Sequence, residues 1–349
     1  MKKVALLCLA AIFGFGLAVA PAEAQNFNLR FQSGYFDVHP TVVNGFLPWF
    51  EEIKTATNGR VNIRNFNPNT LCPEAEIYAS TVSGLISMGG ANHNRVAGKF
   101  PLHEVFSLPL IANSSESMAE TAWAIYNQFP AVRKEMDETQ IFGYWASAPH
   151  QIHTVSKPIN TMEDLKGLRI LVWAKPNADT IAAFGGNPIT VSPPESYLAL
   201  SRNQADGVMC PLAPFRSMKI NEATKYTVIG NFFEEAFYMA MNKGVWASFP
   251  EDVQKQFLST IGNDWANRIG RTLDVGAAAD IVWLKENGHT FTTLSDDELL
   301  RWRAAVAGMN EEWVKKVVGL GVVTEAEARA LLKATQERGA QAMANQAAR

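Results

Sequence analysis

Residues 160–211, NTMEDLKGLRILVWAKPNADTIAAFGGNPITVSPPESYLALSRNQADGVMCP, decide the fold. Signals for helix starts alternate in this stretch with short apolar runs. Thr161 stands three residues before Asp164 and Ser192 three residues before Glu195, which is the spacing of a capping box at a helix N-terminus. Alternating helices and short apolar strands are typical of an α/β fold. We therefore expect the strands of this stretch to direct their ends toward a cleft.

The N-terminal third predicts a parallel βαβ unit. A strand is predicted over Asn28–Phe31, and a helical pattern runs from Val43 to Ile53 until Asn58-Gly59 ends it. Residues Arg60–Asn65 then alternate apolar and polar side chains, as a half-buried strand does. Strand, helix and strand in this order favour parallel pairing of the two strands.

A proline-free helical pattern covers residues 250–287, with apolar residues about one turn apart. We predict one long helix there, long enough to bridge two halves of the molecule. Two further helices are predicted at the C-terminus, each opened by a capping box. The apolar positions of the long helix are Phe257, Ile261, Trp265, Ile269 and Leu273, and the capping boxes are Ser295 with Glu298 and Thr324 with Glu327.

These elements predict a fold of two α/β lobes joined by a hinge, as in periplasmic binding proteins, with a long helix bridging both lobes. The expected domains are lobe 1 over 25–150, to which part of 233–260 returns, lobe 2 over 151–232, the bridging helix over 250–287, and C-terminal helices over 288–349 that pack on the lobes.

The first 24 residues are predicted to be a signal peptide. Lys2 and Lys3 precede an apolar run from Val4 to Ala20, and Ala22-Glu23-Ala24 fits the pattern of a cleavage site. We expect cleavage near Ala24 and a periplasmic location for the mature chain. A signal anchor that stays uncleaved is the alternative.

Composition argues against several classes of protein. The 349 residues carry a net charge of −3, and removal of Lys2, Lys3 and Glu23 with the signal peptide takes away +1 and leaves −4. We therefore expect no nucleic-acid binding, which needs a basic stripe. The mature chain keeps only Cys72 and Cys210, too few to indicate a disulfide framework, although a bridge between them is conceivable.

Enzyme and metal motifs are missing from the sequence. It has no Gly-x-Ser-x-Gly elbow, and His103-Glu104 lacks the second histidine of a zinc motif. Glu234 and Glu235 would alternate faces on a strand, so they could not act together. His150 and His153 are three residues apart, but no third ligand stands at a diagnostic spacing. We expect no enzymatic activity, no metal and no cofactor.

Three motifs resemble those of one family. They are Pro158-Ile159 with Asp164–Ile170 (DLKGLRI), Glu195–Leu200 (ESYLAL) and Ala205–Pro211 (ADGVMCP). In this order they resemble the solute-binding proteins of tripartite ATP-independent periplasmic (TRAP) transporters, a family of dicarboxylate-binding proteins. Weaker matches extend over nearly the whole mature chain.

The resemblance also identifies departures from the family pattern. Family members commonly end the first strand of the motif with an arginine that pairs with a ligand carboxylate, and that position is Leu171 here. Arg169 lies two residues earlier, about 6 to 7 Å away along a strand. A second family arginine aligns with Gln151, and a family asparagine aligns with Cys210. The usual carboxylate ligand is therefore in question.

The resemblance implies a set of cleft residues. It places Tyr35, Glu74, Asn92, Arg95, Trp173, Lys175 and Pro193 along the cleft, and local pattern adds Trp145, Phe215 and Tyr238. The pocket is thus predicted to be aromatic and to contain few cations. Arg95 and Lys175 would otherwise be ordinary surface charges, and Trp173 a core residue.

The family implies that this protein is a receptor for a small organic solute, which it delivers to the membrane-embedded TRAP permease. Two kinds of ligand fit the departures: an organic acid bound in a different pose, or an aromatic or uncharged polar compound. We expect a monomer. A periplasmic sensor that presents its closed form to a signalling receptor is the alternative function.

Overall fold

The structure is a computed structural model that describes residues 25–96, 98–213, 215–261 and 265–347. The predicted signal peptide and its cleavage site lie outside these residues. Across the described ranges, no helix combines the length and the apolar character needed to cross a membrane.

The chain forms eleven strands and twelve α-helices within the described residues. The strands are β1 (Phe27–Ser33), β2 (Val61–Phe66), β3 (Met88–Asn92), β4 (Thr139–Ala146), β5 (His150–Thr154), β6 (Arg169–Val172), β7 (Asn187–Thr190), β8 (Gly207–Pro211), β9 (Tyr226–Phe233), β10 (Ala236–Asn242) and β11 (Thr290–Thr293). The helices are α1 (Leu47–Ala56), α2 (Ile77–Ser83), α3 (Ser115–Gln128), α4 (Pro130–Lys134), α5 (Lys175–Ala183), α6 (Ser196–Ser201), α7 (Ile220–Ala223), α8 (Lys243–Ser248), α9 (Glu251–Ser259), α10 (Trp265–Glu286), α11 (Asp296–Gly319) and α12 (Glu325–Ala347).

Two mixed sheets define two lobes. Lobe 1 is built on the sheet β2-β1-β3-β10-β4, and lobe 2 on the sheet β11-β9-β5-β8-β6-β7. In lobe 1, β1 pairs in parallel with β2 and β3, whereas β10 runs antiparallel to β3 and β4. The chain crosses between the sheets at residues 147–149, after β4, and at 234–235, between β9 and β10. The prediction of an α/β fold with two lobes is confirmed.

Local sequence signals account for most elements of both lobes. The predicted βαβ unit is β1-α1-β2, in which a π-helical turn, Thr41–Phe46, precedes α1. The capping boxes at Thr161 and Ser192 are both formed. Each opens a short 3₁₀ helix, and these lie just ahead of β6 and α6.

A buried apolar cluster covers each face of each sheet, because alternate residues of a strand point to opposite faces. In β10, Phe237 belongs to one cluster of lobe 1 and Tyr238 to the other. In β6, Leu171 and Val172 divide in the same way between the two clusters of lobe 2. Consecutive residues of one strand therefore lie in different environments.

The single helix predicted over 250–287 is wrong, because it is divided into α9 and α10. The last turn of α9 tightens as the backbone N–H groups of Thr260 and Ile261 donate to carbonyls three residues earlier. The Thr260 hydroxyl donates to the Phe257 carbonyl and accepts from the Trp49 indole N–H, 3.0 Å away. These bonds end α9 although the apolar spacing continues.

The second part of the predicted helix, α10, contacts both lobes. Near its start, Trp265 and Ile269 pack in a cluster of lobe 1, and near its end Leu284 packs in a cluster of lobe 2. The segment predicted as C-terminal helices, 288–349, also contains a strand: β11 pairs in parallel with β9. Its sequence, TFTT, consists of residues that favour strands.

Candidate ligand-binding cleft

The carboxyl end of β3 in lobe 1 faces the start of α5 in lobe 2. A cavity of about 430 Å³ lies between them, lined by His93 and Asn94 of lobe 1, by Lys175 and Pro176 of lobe 2 and by Trp313 of α11. The aromatic and charged residues of lobe 1 described below do not line this cavity but lie beside it. Ligands of α/β proteins commonly bind outside the carboxyl ends of strands. The candidate site is therefore built from the residues that follow β1, β3 and β6 and from the two crossing segments.

Three aromatic residues, Tyr35, Trp145 and Phe237, form what we call the aromatic cluster of lobe 1. Phe237 stacks on Trp145 with ring centroids 5.3 Å apart and contacts Tyr35 at 5.6 Å. Tyr35 also stacks on His39, at 4.1 Å. A side chain at Gly90 would collide with Trp145, since an added Cβ would lie 2.6 Å from the ring, so this glycine leaves room for the indole.

Two buried donors lie at this cluster. The Asn92 side-chain amide has no partner among the described residues, and the Trp145 indole N–H lies close enough to the Tyr35 hydroxyl to oppose the rise in the Tyr35 pKa, without reaching full hydrogen-bond geometry. Phe237 is paired with Asn92 on one side and with Trp145 on the other, so all three side chains lie on the same face of the sheet. Buried donors are nearly always satisfied in folded proteins, so this face is incomplete without an acceptor.

Glu74, Arg95 and Glu235 form what we call the charged cluster. The Arg95 Nε donates to the Glu74 carboxylate at 3.0 Å. Gly34 permits this position of Glu74, because a Cβ there would lie 2.7 Å from the carboxylate. Burial raises the pKa of Glu235, Arg95 opposes that shift and Glu74 adds to it. Burial likewise raises the pKa of Tyr35, and the nearby Glu235 carboxylate adds to the effect. The two clusters are thus in electrostatic contact.

The neighbouring Glu234 has a different environment. It is fully buried, and neither of its carboxylate oxygens has a hydrogen-bond partner among the described residues. Burial, together with Asp274 of α10, raises the pKa of Glu234 well above its usual range. Both glutamates lie in the connection between β9 and β10 rather than on a strand. Only Glu235 lies near the candidate site.

Lobe 2 contributes neutral groups to the cleft. The Trp173 indole donates to the Ser196 hydroxyl at 2.9 Å and lies 6.2 Å from the His150 ring. Asn177 Nδ2 lies 3.2 Å from His150 Nδ1, while the Asn177 side-chain oxygen is buried without a partner in the described structure. Burial lowers the pKa of His150 to about 3, so this histidine is uncharged at neutral pH.

The cations predicted in lobe 2 already have partners. Arg169 lies at the start of β6, the end opposite Trp173, and forms two hydrogen bonds with the Asp206 carboxylate at 2.9 and 3.0 Å. Lys175 forms an ion pair with Asp179 at 2.6 Å, and its side chain is 83% exposed. Neither residue belongs to the charged cluster.

Other predicted site residues lie in the core. Leu171, Cys210 and Phe215 are buried together in one cluster of lobe 2, and Tyr238 is buried on the far face of the lobe 1 sheet. Gln151 is also buried: its amide donates to Asn231 at 2.6 Å, and its oxygen accepts from the backbone of Gly230 and Asn231. Pro193 lies, half-buried, in the turn before α6. Cys72 and Cys210 are both free thiols.

Several residues of the site do not stand out in the sequence. Glu235 looks like one of two adjacent acids, and Phe237, His150 and Asn177 look like ordinary strand and helix residues. Only the strand register brings Phe237 between Asn92 and Trp145. In the described ranges, no group of three His, Cys, Asp or Glu residues is arranged to hold a metal ion.

The profile of one family, described as bacterial extracellular solute-binding protein, family 7, matches residues 36–316. The chain belongs to this family. Its members are the TRAP solute-binding proteins, so the resemblance seen in the sequence motifs is confirmed.

Similar proteins include several with bound or named solutes. The outer membrane transporter protein TsaT of Comamonas testosteroni is 26% identical over 321 residues, which are 90% of this chain and 93% of TsaT. A TRAP periplasmic solute-binding protein of Bordetella bronchiseptica, crystallised with (R)- and (S)-mandelate, is 26% identical with a TM-score of 0.77, covering 90% of this chain and 99% of its own. A TRAP solute-binding protein of Rhodoferax ferrireducens T118, crystallised with copurified benzoate, is 23% identical with a TM-score of 0.80, covering 91% and 98%.

As a member of this family, the protein is a TRAP solute receptor. It binds a small organic solute and delivers that solute to a membrane permease. The family acts outside the cytoplasm.

Proposed function

We propose that the solute binds between the lobes, where the aromatic and charged clusters of lobe 1 face Trp173, His150 and Asn177 of lobe 2. One observation carries this proposal: buried polar groups without partners point to this region from both lobes. Asn92 and Trp145 contribute donors from lobe 1, and Asn177 contributes an acceptor from lobe 2. A polar solute between the lobes would satisfy all three groups.

The aromatic cluster and Trp173 suit a compact solute with an apolar body. Such rings bury a large apolar area, and the Trp145 N–H can also orient a ligand, whereas the Trp173 N–H is donated to Ser196. The two related receptors crystallised with mandelate and with benzoate bind small aromatic acids, which agrees with an aromatic-lined site.

Solute binding would stabilise the closed arrangement of the lobes, because both lobes contribute contacts only when they are together. The two crossing segments, residues 147–149 and 234–235, would act as the hinge, with α10 bridging the lobes behind them. In this proposal the receptor is a monomer, is exported with its leader removed near Ala24, and passes the solute on without chemical change.

Native mass spectrometry of the protein purified from its own periplasm tests this function. We expect a retained small molecule, and we expect a hit from a metabolite library to raise the melting temperature and reduce the radius of gyration measured by small-angle X-ray scattering. A protein that retains nothing and responds to no compound would contradict the proposed site. N-terminal sequencing of the exported chain should begin at Gln25.

A further inference from the structure

The charged cluster has one more carboxylate than it has cations. Glu74 and Glu235 share the single guanidinium of Arg95. The nearest histidines do not change this balance, because burial lowers the pKa of His39 to about 4 and that of His150 to about 3. Lys175 and Arg169 are paired elsewhere. With both carboxylates ionised, the described part of the site therefore has room for one positive charge.

Glu235 is the carboxylate of this cluster that has no direct ion pair or side-chain hydrogen bond in the described structure, although Arg95 lies near it. Its backbone is fixed at the hinge, since its N–H donates to the Ser147 hydroxyl at 3.0 Å and its carbonyl accepts from the Ser147 N–H at 2.9 Å. Its side chain is half-buried and forms no ion pair within 4.0 Å in the described structure. A carboxylate in such a position is most stable next to a cation, because partial burial removes the water that would otherwise solvate it.

Donors for a negatively charged or carbonyl oxygen lie next to this carboxylate. The buried Asn92 amide lacks a partner, and the buried Trp145 indole N–H faces the Tyr35 hydroxyl without a full hydrogen bond; both groups lie on the face that carries Phe237. Arg95 donates to Glu74 through Nε, which leaves its terminal N–H groups available to a ligand. A small solute that carries both an acceptor oxygen and a positively charged donor would thus find a partner for each: the oxygen at these donors and the donor at Glu235.

We infer that the solute is a small amino acid or a related zwitterion, with its ammonium nitrogen against Glu235 and its carboxylate at Arg95, Trp145 and Asn92. This inference rests on the proposed function and specifies the solute class for the same site. A simple acid would satisfy the donors but leave the Glu235 carboxylate unmatched. A site built around a charged group discriminates strongly against analogues that lack its partner.

Pairs of compounds that differ only in an amino or a hydroxyl group test this directly. Phenylglycine and mandelate form one pair, alanine and lactate a second, and 2-aminobutyrate and 2-hydroxybutyrate a third. Calorimetry on the full-length mature protein at pH 7.5 measures the affinities. In the pair that binds best, the Kd of the amino compound should be at least about tenfold lower than that of its hydroxy partner, which is a difference typical of one matched charge at an interface.

Glu235→Gln should lower affinity for the amino compound by about tenfold and bring the two partners close to equality, because the amide keeps the shape but not the charge. Glu76→Gln is the matched control. Glu76 is an exposed carboxylate two residues beyond Glu74, so the change should leave both affinities within about twofold. Melting temperatures without ligand check that both variants fold.

Three outcomes would overturn the inference while leaving the receptor function intact. Hydroxy acids could bind as tightly as their amino partners, Glu235→Gln could leave the preference unchanged, or the preference could disappear in EDTA, which would assign Glu235 to a metal ion. If none of the three pairs binds, the test is the charge of the solute that is retained on purification or found in the library. A bound solute without a cationic nitrogen would contradict the inference. A failure of every compound to bind would contradict the proposed function itself.

Discussion

The rim of lobe 1 places charge beside aromatic rings, whereas the groups of lobe 2 around Trp173 are neutral and its Lys175 is paired with Asp179. In lobe 1, Arg95 lies between two carboxylates next to Tyr35 and Trp145. In lobe 2, Leu171 is buried behind Trp173, and His150 is uncharged. The resemblance to the family implies an arginine at the Leu171 position. In the proposed site, the charged groups therefore lie on lobe 1 and not at the Leu171 position of lobe 2.

The largest expected effect comes from restoring that arginine. Leu171→Arg should destabilise the fold by about 3–5 kcal/mol, because an unpaired guanidinium would enter an apolar cluster. Urea unfolding measures this loss. Leu171→Met, which keeps size and polarity, should cost less than about 1.5 kcal/mol.

The affinity of Leu171→Arg for acids sharpens the comparison between the rims. We expect no gain in mandelate or benzoate binding by this variant, because the side chain at 171 points into the core. If Leu171→Arg is stable and binds either acid more tightly than wild type, the ligand carboxylate is bound by lobe 2 and not by lobe 1.

A smaller effect is expected from the neutral histidine of lobe 2. The pKa of His150 is about 3, below its ordinary value of 6.5, so only the unfolded chain takes up this proton between those values. The stability that His150 contributes is therefore complete above pH 6.5 and is lost as the pH falls toward 3. Between pH 7.5 and pH 5, the titration of His150 alone lowers the free energy of unfolding by about 2 kcal/mol.

Urea unfolding of wild type and His150→Asn at both pH values measures this share. On acidification, the free energy of unfolding of the variant should fall by about 2 kcal/mol less than that of wild type. The other buried histidines lower the free energy of unfolding equally in both proteins on acidification. The altered contact with Asn177 changes the free energy of unfolding by the same amount at both pH values. Parallel losses would show that His150 is not a buried neutral group.

The smallest effect is expected from Arg169. Its pair with Asp206 is half-exposed and lies at the far end of β6, so Arg169→Met should change the free energy of unfolding little. Solute affinity measured by calorimetry should stay within twofold. A tenfold loss of affinity would place Arg169 in the site after all.

Much of the fold follows from local signals in the sequence. The capping boxes at Thr161 and Ser192 and the βαβ unit of lobe 1 depend on neighbouring residues alone, and each was predictable. The break between α9 and α10 was not, because the apolar spacing continues through Ile261 while the hydroxyl of Thr260 binds Trp49, which is distant in sequence.

The site was less predictable than the fold because its partners are distant along the chain. Arg169 is occupied by Asp206, 37 residues away, and nothing near Arg169 in the sequence indicates that pairing. Glu235 lies close to Arg95 only because β10 pairs with β3 and carries the hinge to that side. The family resemblance and local pattern predict an aromatic cleft, whereas the charge balance of the proposed site needed the three-dimensional arrangement.

The most direct test is a crystal structure of the receptor with its retained solute. Our account predicts that the charged atoms of the solute lie within about 3.5 Å of Glu235 and Arg95, and that lobe 2 contributes only neutral contacts, from Trp173 and its neighbours. A solute whose charged atoms pair with Lys175 or with any other cation of lobe 2, while Glu235 has no ligand contact, would contradict it.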